Sequence, residues 1–245
     1  MTLLEKHYDF DFKIDKVASF SKENFNVAEK DWLLNEAQNV IVKQRYGGTN
    51  HRRTAFEETQ KRWDDLATLH VVQPEQPVIV PTVISPTLLE VPLDSLAYDY
   101  WFLTRAEALI TDETCGLVDS PVPMRPVQTD DLSEALKDPF SQSSKLNGVI
   151  FNISKHSSIP GKSSIYIYPN GLNITGVNIS YIKKPRRMIT AGYTYIDGVS
   201  YLGVECELPE HLHTELVDLA VAIASGIIEH PTYVQLKAQK IFEQE

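Results

Sequence analysis

Five prolines, Pro74, Pro77, Pro81, Pro86 and Pro92, fall within nineteen residues of this chain. A proline inside a helix removes a backbone hydrogen bond and clashes with the preceding turn, so no long helix crosses this stretch. Val78-Ile79-Val80 and Val83-Ile84, lying between the prolines, are β-branched and read as strand. The sequence is helical in texture before this stretch, strand-like after it as far as Glu207, and helical again from Pro209. That order predicts an α+β fold, with a helical core formed from both chain ends (1–75 and 208–245) and a β-rich insertion at 76–207.

The first long helix is expected over Asn26–Tyr46. Asn26 suits the cap, and Glu29 stands where a capping-box carboxylate reaches back to the cap's own N–H. Leu33, Ala37, Val40, Ile41 and Gln44 share one face, Trp32 lies off it, and Gly47-Gly48 ends the helix. A second helix is expected over Thr54–His70, with Phe56, Thr59, Trp63 and Leu66 as its stripe. The third follows Pro209. Its stripe is Leu212, Leu216, Leu219, Ala220, Ile223 and Ile227, and Val217, Val221, Ala224 and Ile228 fill the opposite side. A helix apolar nearly all round is buried on both sides. Residues Tyr8–Ile14 alternate apolar and charged positions and suit a short strand or an extended arm.

Within the β-block, 93–112 reads as a short helical start followed by a strand through Leu109-Ile110. Residues 118–127 read as extended, with Pro121, Pro123 and Pro126 at edge positions. Thr129 caps a short helix with Leu132, Ala135 and Leu136 facing in. Strands follow at 148–154, 164–168 and 172–183, the last with a bulge at Gly176. Asp197-Gly198 marks a two-residue hairpin.

The 245 residues carry a formal net charge of −10, which argues against a general nucleic-acid binder. Cys115 and Cys206 lie far apart and read as buried free thiols. The first twenty residues mix charges with single apolar positions, unlike a signal peptide. The longest apolar run, Leu219–Ala224, is too short to span a bilayer, so no membrane partner is expected.

No constellation of residues carries catalytic chemistry. His211 and His213 are two apart, which on a helix aims them at different faces, whereas paired metal ligands need i and i+4. They read as exposed helix-start residues. Asp64-Asp65 and Asp130-Asp131 read as solvated helix surface. There is no phosphate-loop motif, no G-x-G-x-x-G and no G-x-S-x-G. No catalytic residue, metal ligand or cofactor is assigned. The one concentrated basic run, Lys183, Lys184, Arg186 and Arg187, follows a strand and reads as a hairpin loop able to meet a phosphate backbone or an acidic partner. Trp32, Tyr233 and Phe242 are aromatics with little of their own to pack against, a type enriched at interfaces.

Several stretches resemble a known family. They are AEKDWLLNEAQNVIVKQRYG, FEETQKRWDDLATL, PVQTDDLSEALKDPF and ISYIKKPRR, with LPEHLHTELVDLAVAIA and the IIEHPTY close as the most telling. Over about residues 20–235 the chain is similar to head-to-tail connector (adaptor, or first ring) proteins of tailed bacteriophages, above all those of crAss-like phages. The resemblance implies a non-enzymatic virion protein, made in the host cytoplasm and placed at the neck, the portal vertex of the particle. It implies a homo-oligomeric ring, usually a dodecamer. The ring would join the portal protein to the next tail ring protein around a channel for genomic DNA, which passes without sequence-specific binding. By the same resemblance Tyr233, Leu236, Ile241 and Phe242 in the C-terminal tail would bind the portal. Trp32, Lys183, Lys184, Arg186 and Arg187 would face a neighbouring subunit or ring. A reading of a different class is a virion-associated carbohydrate-binding or tail-fibre module using the β-block.

Overall fold

The computed structural model describes residues 1–17, 25–47, 63–72, 76–112, 116–157, 159, 161–193 and 202–227. The expected helix start at 54–62, the Asp197-Gly198 hairpin, Cys115 and the tail beyond Ile227 lie outside them. The chain divides into two compact units. One comprises Met1–Leu69 with Pro185–Glu245, the other His70–Lys184.

Among the described residues, the first unit contains three long helices. α1 spans Leu3–Val17 and replaces the extended arm expected over Tyr8–Ile14. Two periods compete in that segment. Tyr8, Phe10, Phe12 and Ile14 fit period two, but Leu3, Lys6, His7, Phe10 and Ile14 fit a helical face, and these are the residues buried. A capping box decides the contest: the Thr2 amide donates to the Glu5 carboxylate at 2.8 Å, and the Glu5 amide to the Thr2 hydroxyl at 3.3 Å. α2 spans Val27–Gly47 and begins with the expected contact, the Asn26 amide donating to Glu29 at 2.7 Å. Its buried face is Asp31, Leu33, Leu34, Ala37, Gln38, Ile41 and Val42; of the expected stripe Leu33, Ala37 and Ile41 are buried, Val40 is half-buried and Gln44 is exposed. Residues 63–66 form a helical turn running into a 3-10 turn at Ala67–Leu69. The final helix of the unit, His213–Ile227, packs on both α1 and α2. Contact on two sides is why it is apolar on two sides.

The second unit is built from β1 (His70–Val71), β2 (Thr82–Ser85), β3 (Leu88–Pro92), β4 (Tyr100–Asp112), β5 (Leu117–Pro126), β6 (Val149–Lys155), β7 (Ser163–Tyr168) and β8 (Ile174–Lys183), with helix α3 (Leu132–Lys137) between β5 and β6. The strand order is β1-β8-β4-β5-β6-β7-β3-β2. Laid flat, β8 and β2 would stand roughly 30 Å apart across six inter-strand spacings. Yet Ile79 bridges to Val177 on the outer side of β8, and β2 starts at Thr82. Three residues of extended chain reach about 10 Å at most. The sheet must therefore curl until its edges meet, as a barrel. The core agrees: Leu89, Val91, Ala106, Ala108, Ile110, Val122, Met124, Val149, Phe151, Ile165, Ile167, Val177, Ile179 and Tyr181 come from every long strand at alternate positions and form one buried cluster.

Bulges supply the curvature. The pairing of β4 with β8 slips at three places, between Tyr100/Phe102, Leu103/Arg105 and Leu109/Ile110, the last opposite the bulge expected at Gly176. β5 is not an edge strand, contrary to the reading of its prolines: it pairs with β4 on one side and, in parallel, with β6 on the other. The β6 pairing covers only Met124–Pro126, so Pro121 and Pro123 interrupt no ladder on that side. α3 buries no residue, so Leu132, Ala135 and Leu136 reach the core less than their spacing predicts. At the end where the chain enters the barrel, the buried Tyr181 hydroxyl donates to Gln76 and accepts from the Tyr98 amide, and Gln76 also accepts from the Ala97 amide at 2.8 Å.

One carboxylate is buried on the outer wall. Glu90 accepts from the Ser157 hydroxyl at 2.7 Å, the Ser157 amide at 3.1 Å and the Tyr166 hydroxyl at 3.1 Å. Burial disfavours its charge, but these hydrogen bonds outweigh burial and bring its pKa down from 4.5 to about 2. A folded-state pKa below the unfolded one stabilises the fold above the unfolded value and loses that stabilisation as pH falls through the folded value. The difference in melting temperature between the native chain and Glu90→Gln should therefore be largest near neutrality and shrink from pH 4.5 towards 2. A pH-independent difference would contradict this assignment.

Gly148 opens β6 with φ +85°, and a Cβ there would lie 2.7 Å from the Pro123 carbonyl oxygen. Gly148→Ala should destabilise the fold by about 1–3 kcal/mol in denaturant titrations, through left-handed strain and this collision.

Candidate assembly surfaces

Three polar side chains on α2, Asp31, Asn35 and Gln38, follow one another at helical spacing and grip the backbone of segment 186–190. Asp31 accepts from the Thr190 amide and hydroxyl, each at 2.9 Å, and pairs with His7 Nε2 at 2.8 Å. Asn35 accepts from the Met188 amide at 2.7 Å and donates to the Met188 carbonyl at 2.9 Å. Gln38 donates to the Arg186 carbonyl at 3.3 Å. This arrangement pairs the groups of a segment that has no regular structure beyond the single bridge Ile189–Val204.

A second network closes the other end of α2. Arg45 pairs with Asp65 at 2.7 Å through Nε and with Glu215 at 2.8 Å through its terminal nitrogen, while His211 Nε2 meets Asp65 at 2.7 Å. Asp65 is fully buried, so it is a structural ion-pair partner and not helix surface. His213 is also buried, its Nε2 at 3.1 Å from the Leu208 carbonyl, and burial followed by the nearby Lys6 lowers its pKa. The two histidines therefore serve the helix start in opposite ways, one paired at the rim and one in the core. Among the described residues, no group of three or more His, Cys, Asp or Glu could hold a metal ion. Cys206 is a half-buried free thiol whose pKa burial pushes up, the setting of an unreactive cysteine.

The residues predicted to face partners fall in different places. Trp32 is exposed on α2. The basic run is not a hairpin loop. β8 ends at Lys183, and the border between the two units lies between Lys184 and Pro185. Lys183 stacks its ammonium over the Tyr98 ring at 4.9 Å, and Arg186 is engaged through Nε by Glu207 at 2.8 Å. Lys184 and Arg187 are exposed. Tyr233, Leu236, Ile241 and Phe242 lie outside the described residues.

Sequence reasoning missed two apolar exposures. Leu4, Tyr8 and Phe12 line the outward side of α1 at i, i+4 spacing. In the barrel, Val118, Phe140 and Leu146 are the most exposed large apolar residues among those described. The signal for Phe140 and Leu146 lay in PFSQSSKLNG, where two bulky side chains stand in an otherwise polar loop.

A helical unit and a braced barrel, both with apolar side chains turned outward and without a catalytic cluster among the described residues, suit a protein that works by assembling. The family model for phage tail ring protein 3/4 matches residues 1–234. The chain belongs to this family. It is thus a structural component of the crAss-like phage tail, built into an oligomeric assembly in the virion. No curated protein matches the sequence. Among the described residues, no helix is long and apolar enough to cross a membrane.

The polar grip of α2 has a measurable consequence. Asp31→Ala leaves the Thr190 amide, the Thr190 hydroxyl and His7 without their buried acceptor. It should cost about 2–4 kcal/mol in denaturant unfolding, with Asp31→Asn less damaging because it keeps one acceptor oxygen.

Proposed function

We propose that this chain forms one closed ring in the stack that links the capsid portal to the tail, encircling the channel through which the genome leaves. The observation that carries this reading is the family match across residues 1–234, which spans both units. The chain chemistry supports it. A net charge of −10 gives a wall that lets DNA pass without holding it. The helical unit, Met1–Leu69 with Pro185–Glu245, forms the core domain, and the β-rich unit, His70–Lys184, forms an insertion that reaches neighbouring subunits or rings. Ring order is dodecameric. The tail segment with Tyr233, Leu236, Ile241 and Phe242 docks on the portal side, and Trp32, Lys184 and Arg187 face the neighbouring copy or the next ring.

Single-particle imaging of the purified chain, alone and mixed with the portal protein of its phage, tests the reading directly. Closed rings in either sample support it and give the symmetry. A chain that stays monomeric and ignores the portal overturns it. Deleting Thr232–Glu245 should leave circular dichroism and melting temperature unchanged while abolishing association with portal rings. Truncated chain that still assembles on the portal would show that the tail is not the docking segment.

A further inference from the structure

The barrel closes at one point and stays open beside it. Ile79 bridges to Val177 of β8, exchanging backbone bonds at 3.0 and 2.8 Å. From Thr82 to Ser85 the chain pairs with β3, and among the described residues no strand pairs with its other side. β2 buries none of its four side chains; Val80 just ahead of it is 75% exposed and Val83 68%. Residues 76–89 carry no charged side chain. Edges that face water are guarded by charge, so a β-branched edge without one is suited to being covered. Pro81, Pro86 and a register slip between Val83 and Ser85 keep the open stretch to the four residues of β2, about 13 Å.

The helical unit carries the complementary part. Ile189 and Val204 exchange both backbone bonds, at 3.1 and 2.9 Å, and a Cβ on Gly203 would lie 3.0 Å from that of Ala191. Two chain segments thus leave this bridge side by side, with Leu202 91% exposed. Their root is fixed, because Asp31 accepts from the Thr190 amide and hydroxyl. The sequence reads on from them, through Tyr195-Ile196 and Val199, to the two-residue turn expected at Asp197-Gly198, with 194–201 outside the described residues. Asp197 is the one charge between Met188 and Val204. A two-stranded ribbon is marginal in water by itself and gains stability from a third strand.

We propose that the open edge of β2 takes the 193–204 ribbon of a neighbouring copy as an added strand. This deepens, and rests on, the ring reading above. The edge itself selects the class of partner. A row of free N–H and C=O groups is satisfied along its length by another extended backbone, and a phosphate or a charged surface meets no counter-charge over 76–89. The chain selects the source. Each copy carries one edge lacking a strand and one ribbon lacking a sheet, both uncharged apart from Asp197, in a sequence whose net charge is −10. In a closed ring the contacts are heterologous, so every edge is filled by the next copy's ribbon and no ribbon is left bare. A different partner on the edge would leave the ribbon without its third strand. The lengths agree, since Tyr193–Asp197 as a strand spans about 16 Å and the open edge about 13 Å.

The test places a photo-crosslinking residue at Val83 in the full chain and irradiates assembled phage particles. The expected product is a dimer of this chain whose linked peptide comes from 193–204. A link to 193–204 within one chain, to another segment of a second copy or to a different virion protein overturns the assignment, and so does no link. A second measurement uses Val83→Lys. The side chain is solvent-exposed, so the melting temperature should hold. The fraction of chain in rings should fall about tenfold or more, because a lysine guards an edge against an added strand. Ring formation at the native level would sink the ribbon contact and leave the ring reading standing. Absence of rings from the native chain in particles would instead remove the ring reading, and the ribbon contact with it.

Discussion

The first unit depends on the polar edge of α2. Asp31, Asn35 and Gln38 do for residues 186–190 what a neighbouring strand would do, supplying donors and acceptors to a backbone that returns from the barrel without a ladder of its own. The final helix starts some twenty residues after that grip, and it is sandwiched between α1 and α2. Its apolar faces are useful only if the chain comes back in register. A purely apolar α2 face could not choose that register, because hydrophobic burial is non-directional. Hydrogen bonds to named backbone groups can, and Arg45 repeats the device at the far end of the helix by tying Asp65 to Glu215.

The barrel depends on a different constraint, the two residues, Val80 and Pro81, between Ile79 and Thr82. They oblige one strand path to serve both edges of the sheet, and so remove most of the edge that an open sheet would expose. The bulges in β4 and the close approach at Gly176, where a Cβ would lie 2.5 Å from Val78, follow from that closure. The prolines that looked like edge markers are accommodated because β6 joins β5 late. The residues that most discouraged helix, Pro77 to Pro92, are thus where the chain turns the corner of the barrel.

Much of this was legible in the residues, and the failures have physical causes. The helix α2, its cap and the alternation of β6, β7 and β8 were readable because local spacing and tertiary burial agree there. Over Tyr8–Ile14 two periods coexisted, and only the Thr2–Glu5 box, a few atoms of capping, separated them. Asp65 and His213 looked like surface because a buried charged or polar group is recognised by its partners, and Arg45 is twenty residues from Asp65 and 170 from Glu215. Phe140 and Leu146 escaped notice for the opposite reason: their exposure is a property of the folded loop, and apolar residues in a sequence read first as core. The family likeness rested on whole-segment texture, which is why it reached the tail ring proteins without pointing to any single contact.

Net charge and self-association are reconciled by distance. Two copies of charge −10 with centres about 40 Å apart would repel by on the order of 10 kcal/mol in salt-free water. At physiological ionic strength that separation is about five Debye lengths, and the repulsion falls by roughly a hundredfold, to a small fraction of a kcal/mol. Bulk charge therefore does not decide whether copies assemble; charges within a few ångströms of the contact do. On the barrel rim Asp112 is paired by Lys145, while Asp119 and Asp138 accept from the Thr175 and Ser141 hydroxyls. An acidic chain can in this way assemble with its own kind wherever the facing surfaces are uncharged.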